Sequence, residues 1–208
     1  MGKEVRKLLF GDHDPYVNVK VYTYNDFAFQ HKSAEEQIKS VLKELQPNLI
    51  IEIGTWIGGS AIMMANYVKS INLECEIVCI DTWLGSVEHW GELCNLKFQS
   101  GRPVLYDEFL SNVVNTGNQD IITPFPIDST NGLLFLKKHN VKADLIYVDG
   151  GHDYMSVKND LYNASNVIRN DGWILGDDFH HPDVRRAAMD TFGETQIHDK
   201  GNKFIWTK

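Results

Sequence analysis

Two hydrophobic periods alternate along this chain. Ile38, Val41, Leu42 and Leu45 recur every three or four residues and predict one amphipathic helix. The pattern Ser33-Ala34-Glu35-Glu36 precedes it as a capping box, and Pro47 ends it. Residues 48–53 (NLIIEI) then form a continuous apolar run, as in a buried strand, and 54–59 form a glycine-rich turn. A helix over 60–68 carries Ala61, Met64, Ala65 and Val68 on one face. A second strand is expected at 76–80, irregular chain at 83–103, and a helix around 106–114. Residues 121–127 read as a broken strand with Pro124 and Pro126, which places it near an edge or makes it short. A helix at 133–138, a strand at 143–148 (ADLIYV) and a stripe of Val157, Leu161, Ala164 and Ile168 follow. Asp171 and Gly172 close that helix. A strand at 173–176, a helix at 184–192 and a terminal strand at 203–208 complete the pattern.

Buried strands separated by amphipathic helices predict an α/β fold, a mostly parallel sheet covered on both faces. Residues 33–208 read as one domain. Residues 1–32, with Tyr16, Tyr22, Tyr24, Phe27 and Phe29, read as a cap or lid that either covers a bound molecule or packs on a second copy.

At 208 residues and 43% hydrophobic content, the chain can bury a core without staples. Its formal charge of −8 argues against a nucleic-acid or anionic-membrane surface and favours a small-molecule enzyme or a cation site. No apolar run reaches the length of a membrane span. Cys75, Cys79 and Cys94 lack CxxC spacing, which argues against a zinc site or disulfide framework and makes a reducing cytoplasm the expected location.

In such a sheet, ligands sit beyond the carboxyl ends of the strands. After the first strand come Glu52, Gly54, Thr55, Gly58, Gly59 and Ser60. A dinucleotide loop would need glycine where Trp56 stands, and a P-loop would need a lysine before Ser60; both readings fail. What remains is a glycine turn at a helix start with an acid beside it, suited to a ligand bearing an α-ammonium and a carboxylate. Asp81 and Thr82 follow the second strand, where an acid can accept ribose hydroxyls or simply cap a helix. Asp128 and Ser129 follow the third, placed to meet a base edge. Asp149, Gly150, Gly151 and His152 follow the fourth, and Asp177 and Asp178 the fifth. Three carboxylates at adjacent strand ends repel one another, and a hard divalent cation is the simplest compensation. The alternative is that some of these acids are helix caps.

Together these residues resemble the class I S-adenosylmethionine-dependent methyltransferases, in their metal-dependent O-methyltransferase branch. The likeness is nearer to the macrocin and mycinamicin sugar type (methyltransferase family 24) than to the catechol type. The catechol type carries lysine where His152 stands and an Asp-Asn pair where Asp177 and Asp178 stand. The resemblance spans residues 34–192 and implies a seven-stranded Rossmann-like sheet with its last strand antiparallel. It implies that Glu52, Gly54, Thr55, Gly58 and Ser60 hold the methionine part of the cofactor, Asp81 the ribose, and Asp128 and Ser129 the adenine, with Thr82 or Trp83 packed on it. Asp149 lies beside the cofactor, and Asp149, Asp177 and Asp178 would ligate Mg²⁺.

The implied reaction is methyl transfer to a hydroxyl of a small-molecule acceptor such as a sugar, with His152 as general base and Asp149 beside it. His180 is the other candidate base. The competing readings are a non-catalytic cofactor-binding protein of the same fold, a metal-free enzyme acting on a carboxyl or amine, and an oxidoreductase, which Trp56 disfavours.

Overall fold

The computed structural model describes residues 4–21, 32–90 and 96–208. In chain order the elements are α1 (Glu4–Phe10), α2 (Lys32–Leu45), β1 (Leu49–Ile53), α3 (Gly59–Ser70), β2 (Glu76–Asp81), β3 (Phe98–Gln99), β4 (Arg102–Pro103) and α4 (Leu105–Asn115). They continue with β5 (Ile122–Pro126), α5 (Ser129–Lys138), β6 (Ala143–Val148), α6 (Tyr154–Val167), β7 (Ile168–Gly176), α7 (Pro182–Phe192), β8 (Ile197–Asp199) and β9 (Phe204–Thr207).

Seven strands form one sheet in the order β5-β2-β1-β6-β7-β9-β8, and β3 and β4 pair separately. The first five are parallel, while β9 runs antiparallel to β7 and to β8. This is the expected α/β sheet with its last strand reversed. The proline-bearing β5 sits at the edge, where missing N–H donors cost no ladder bonds. Alternation along each strand divides the core in two. Ile50, Ile77, Cys79, Leu145, Tyr147, Leu175 and Ile205 face α2, α3 and α4. Ile51, Val78, Ile80, Ile146, Val148, Ile174 and Phe204 face α5, α6 and α7.

Several boundaries depart from the expectation. Helix α2 begins at Lys32, so Ser33 lies inside the first turn instead of capping it, and Glu36 pairs with Lys39. Helix α5 starts four residues earlier than its apolar stripe because Asp128 caps it, accepting from the Asn131 N–H. Strand β8 has only three residues and a weak pattern, and α1 is a short element that the reading treated as irregular chain.

The described part of the amino-terminal segment braces the sheet. Glu76, at the start of β2, accepts from the N–H groups of Val5 and Arg6 at 3.1 and 2.8 Å and from the Thr123 hydroxyl at 3.0 Å. The Tyr16 hydroxyl donates to the Ile122 carbonyl at 2.9 Å. All these contacts lie at the amino end of the sheet, opposite the carboxyl ends. Tyr22, Tyr24, Phe27 and Phe29 of the expected cap lie outside the described residues.

Replacing buried Glu76 with alanine removes three hydrogen bonds to a charged acceptor and leaves donors unsatisfied. Glu76→Ala is expected to lower unfolding free energy by about 2–4 kcal/mol, read from urea denaturation. A loss under about 0.5 kcal/mol would show that the brace contributes nothing to stability.

Candidate functional site

Strand register builds the site. Ile53 lies opposite Ile80 on one side and Val148 on the other, and Val148 lies opposite Gly176. The next residue on each strand therefore falls in one row: Asp81, Gly54, Asp149, Asp177. Backbone bonds carry the sheet one step into the loops, from Gly54 N to Ile80 O (3.0 Å), Asp149 N to Ile53 O (2.8 Å) and Asp177 N to Val148 O (3.0 Å).

Gly54 has φ +79, and a Cβ there would sit 2.1 Å from the Asp149 carbonyl oxygen, so only glycine lets these two loops touch. Gly58 (φ +95) is the left-handed residue before α3, with Phe109 beneath it. The first turn of α3 then points N–H groups without helical acceptors beyond the strand ends, a place for an anionic ligand group.

A cavity of about 840 Å³ opens along this row. Of the residues read from sequence, Gly54, Thr55, Ser60, Asp81, Thr82, Asp128, Ser129, Asp149, His152 and Asp178 line it. Glu52, Gly58, Trp83 and Asp177 do not line it, for four separate reasons.

Glu52 is fully buried beneath the turn, accepting from the Thr55 hydroxyl at 2.7 Å and the Ser60 hydroxyl at 2.5 Å. It shapes the glycine turn from below. Burial pushes its carboxyl up to about 7, against hydrogen bonds from Ser60, Thr55 and Cys79 that pull it down. Gly58 serves the backbone turn. Trp83 is core: its ring packs on Tyr106 and Phe109, and its Nε1 donates to the Trp56 carbonyl at 2.6 Å. Asp177 has its carboxylate taken up by other partners, as described below.

Asp81 binds the turn as well as facing the cavity. Its Oδ2 accepts from the N–H groups of Thr55 and Trp56, both at 2.8 Å, and its Oδ1 from Trp83 N–H at 2.7 Å. A carboxylate offers about four acceptor positions, so one hydroxyl, not two, finds a position still open. Asp128 is the cap of α5 and also lines the cavity.

Two carboxylates and one imidazole converge at the β6 and β7 ends. Asp149, His152 and Asp178 each offer a ligand atom, all within 4.8 Å of one another. His152 Nε2 lies 3.0 Å from Asp178 Oδ2, and this contact holds the Asp178 carboxyl below its usual range. His152 does not cap α6; Asp153 does, accepting from Met155 and Ser156. His180 is more remote, with Nδ1 3.8 Å from Asp178 Oδ1. Burial first and neighbouring Asp177 second push the Asp149 carboxyl up to about 7. Lys203 offsets this only in part, so the donor set fits a divalent cation at Asp149 and Asp178.

Asp177 lies beside this group, but its carboxylate is taken up by other partners. Its Oδ2 accepts from Lys203 Nζ and from the Tyr147 hydroxyl, and its Oδ1 from Asn202 Nδ2 (2.9 Å) and the Asp178 N–H (2.8 Å). The expected trio of converging carboxylates is thus a pair joined by His152.

Three features of the site escaped the sequence reading. Asp160, on α6, lines the cavity and accepts from the Ser129 hydroxyl; burial pushes its carboxyl up to about 6. An acid three residues from Val157 on the buried stripe was the available signal. Trp56 lines the cavity with its ring stacked on His89 at 4.0 Å. Lys203 was the third.

The family 24 methyltransferase domain matches residues 51–179, more than half of the chain. The chain belongs to this methyltransferase family. A 43-residue stretch is 42% identical to rhamnosyl O-methyltransferases of Mycobacterium bovis and Mycobacterium tuberculosis, covering 21% of this chain and only 18% of theirs. Across nearly the whole chain the fold is similar to an O-methyltransferase from Bacillus cereus solved with SAH, at TM-score 0.61 and 15% identity, covering 99% of this chain and 88% of that one. It is also similar to CalS11, a calicheamicin methyltransferase, at TM-score 0.63 and 16% identity, covering 86% and 80%. TomG from Streptomyces achromogenes aligns at TM-score 0.60 and 15% identity, covering 84% and 79%.

Two outcomes follow for this family 24 site. Gly54→Ala combines a clash with Asp149 and a left-handed backbone, and is expected to cost about 2–4 kcal/mol of stability and to open the site, read by denaturation and by S-adenosylhomocysteine titration. Glu52 tests the burial argument through pH. Its folded value is about 7 against an ordinary 4.5, so the folded state holds the proton more tightly and loses stability as pH rises through that window. The gap between wild type and Glu52→Gln is therefore expected to move by on the order of 3 kcal/mol in favour of the variant from pH 4.5 to 8. A pH-independent gap would show that Glu52 titrates as an ordinary acid.

Proposed function

We propose that this chain is an S-adenosylmethionine-dependent O-methyltransferase, assisted by a divalent cation such as Mg²⁺ and acting on a hydroxyl of a sugar or similar polyol. The observation carrying this reading is the row Asp81, Gly54, Asp149 along one cavity, with His152 and Asp178 at its end. The likeness to rhamnosyl O-methyltransferases over one short segment supports the sugar acceptor.

When bound, S-adenosylmethionine supplies an electrophilic sulfonium methyl, and a divalent cation lowers the pKa of an acceptor hydroxyl. The rest falls to the chain. The α3 amino terminus and the Ser60 neighbourhood receive the ligand's carboxylate end. Asp81 accepts one ribose hydroxyl, and Asp128 with Ser129 lies at the base end. Asp149 and Asp178 hold the cation. His152 takes the acceptor proton. With Nε2–H directed at Asp178, the ring's Nδ1 carries the lone pair, and Asp178 stabilises the imidazolium once formed. Among the described residues, no helix is long and apolar enough to cross a membrane.

The test is methyl transfer from labelled S-adenosylmethionine to a panel of sugars and glycosides, with and without a chelator. Turnover that stops with chelator and returns with Mg²⁺ is expected. Chelator-resistant turnover on a carboxyl or amine would replace the metal reading, and binding without turnover across the panel would make the chain a cofactor-binding protein. His152→Ala is expected to bind S-adenosylhomocysteine normally and to lose about 10²–10⁴-fold in turnover. Unchanged turnover would remove His152 from the base role.

A further inference from the structure

Lys203 is wholly buried, an expensive position for an ammonium unless it is paired. The antiparallel register explains where it points. Gly176 lies opposite Phe204, so one step further Asp177 meets Lys203. Lys203 Nζ contacts Asp177 Oδ2 and accepts no bond itself; it also donates to the Tyr147 hydroxyl at 2.9 Å. Tyr147 donates onward to the same Asp177 oxygen, while Asn202 and the Asp178 N–H fill the other. Four donors on a carboxylate use all of its roughly four acceptor positions. Asp177 has none left for a cation. Asp149, its neighbour in the row, has no hydrogen-bond donor on its carboxylate among the described residues, and faces the cavity.

We propose that Lys203 is a positioning residue for the cation site: a fixed internal cation that takes Asp177 out of coordination and leaves Asp149 and Asp178 to hold the ion. The charges agree with this assignment. Three carboxylates and one ammonium leave two negative charges, which one divalent ion balances, whereas the same acids without Lys203 would leave a surplus. The proposal rests on the metal reading above and concerns which side chains serve it.

The experiment is Mn²⁺ binding followed by electron paramagnetic resonance, which reads the ion and not turnover. It compares wild type, Asp149→Asn, Lys203→Met and the charge-neutral double variant Asp177→Asn/Lys203→Met. Asp149→Asn is expected to weaken binding beyond the roughly 100-fold that marks outer-shell partners. The double variant is expected to stay within about threefold of wild type, below the roughly 10-fold at which outer-shell effects begin. Lys203→Met alone releases the Asp177 charge toward the site and is expected to bind about 10-fold tighter. If that variant does not fold, the double variant decides. Loss of Mn²⁺ in the double variant to the extent seen in Asp149→Asn would make Asp177 a ligand and overturn the proposal while the metal reading stands. Wild type that binds no Mn²⁺ would remove both.

Discussion

The site depends on the contact between two loops. Gly54, the first residue of the turn after β1, lies against the Asp149 backbone so closely that no side chain fits between them. That contact forces the glycine turn and the acidic end of β6 to share one wall. The turn is also held from below by the Glu52 carboxyl, which accepts from Thr55 and Ser60, and from the side by Asp81, which accepts from the Thr55 and Trp56 N–H groups. With the two loops in contact, the α3 amino terminus and the Asp149 carboxylate open onto the same cavity. A ligand with an anionic end and a reactive centre can then span from one to the other.

Burial of acids is the second constraint, and the chain meets it in three ways. Glu52 is held by neutral hydroxyls, whose hydrogen bonds offset only part of the burial that pushes its carboxyl up to about 7. Asp177 is compensated by a full ammonium and three further donors. Asp149 has no hydrogen-bond donor on its carboxylate among the described residues, and Lys203 offsets only part of its burial and of the repulsion from nearby acids. Removing charged groups from water costs several kcal/mol each after relaxation, so these are different bargains with the solvent. Of the three, Asp149 is the acid least compensated from within.

Much of this was legible in the pattern of residues. β6 is buried at every position, and its apolar run marked it without ambiguity. Pro124 and Pro126 correctly placed β5 at an edge. Strand-end acids could be found because parallel strands put their carboxyl ends together. Side-chain direction could not. Asp177 and Asp178 are adjacent and opposite in role, one turned to Lys203 and the other to His152, and nothing in their spacing says which. Lys203 was visible only as a parity clue: it shares a strand face with Ile205, which is buried in the core. Trp83 and Trp56 exchanged roles for a related reason. Both have left-handed backbones, at φ +51 and +53, a conformation that sequence pattern does not announce for tryptophan.

That backbone conformation has a consequence for the cavity wall. Trp56 occupies the position where a dinucleotide loop needs glycine, and its positive φ costs energy that surrounding contacts must offset. Asp81 holds its N–H, Trp83 Nε1 holds its carbonyl, and its ring stacks on His89. His89 in turn accepts from the Ser86 N–H within the irregular stretch after β2. Trp56 therefore ties the glycine turn to the loop after β2. Movement of that loop cannot be independent of the turn, because the stacked pair and the Trp83 bond would have to break together. Two parts of the cavity wall, the glycine turn and the His89 loop, are in this way coupled through one tryptophan.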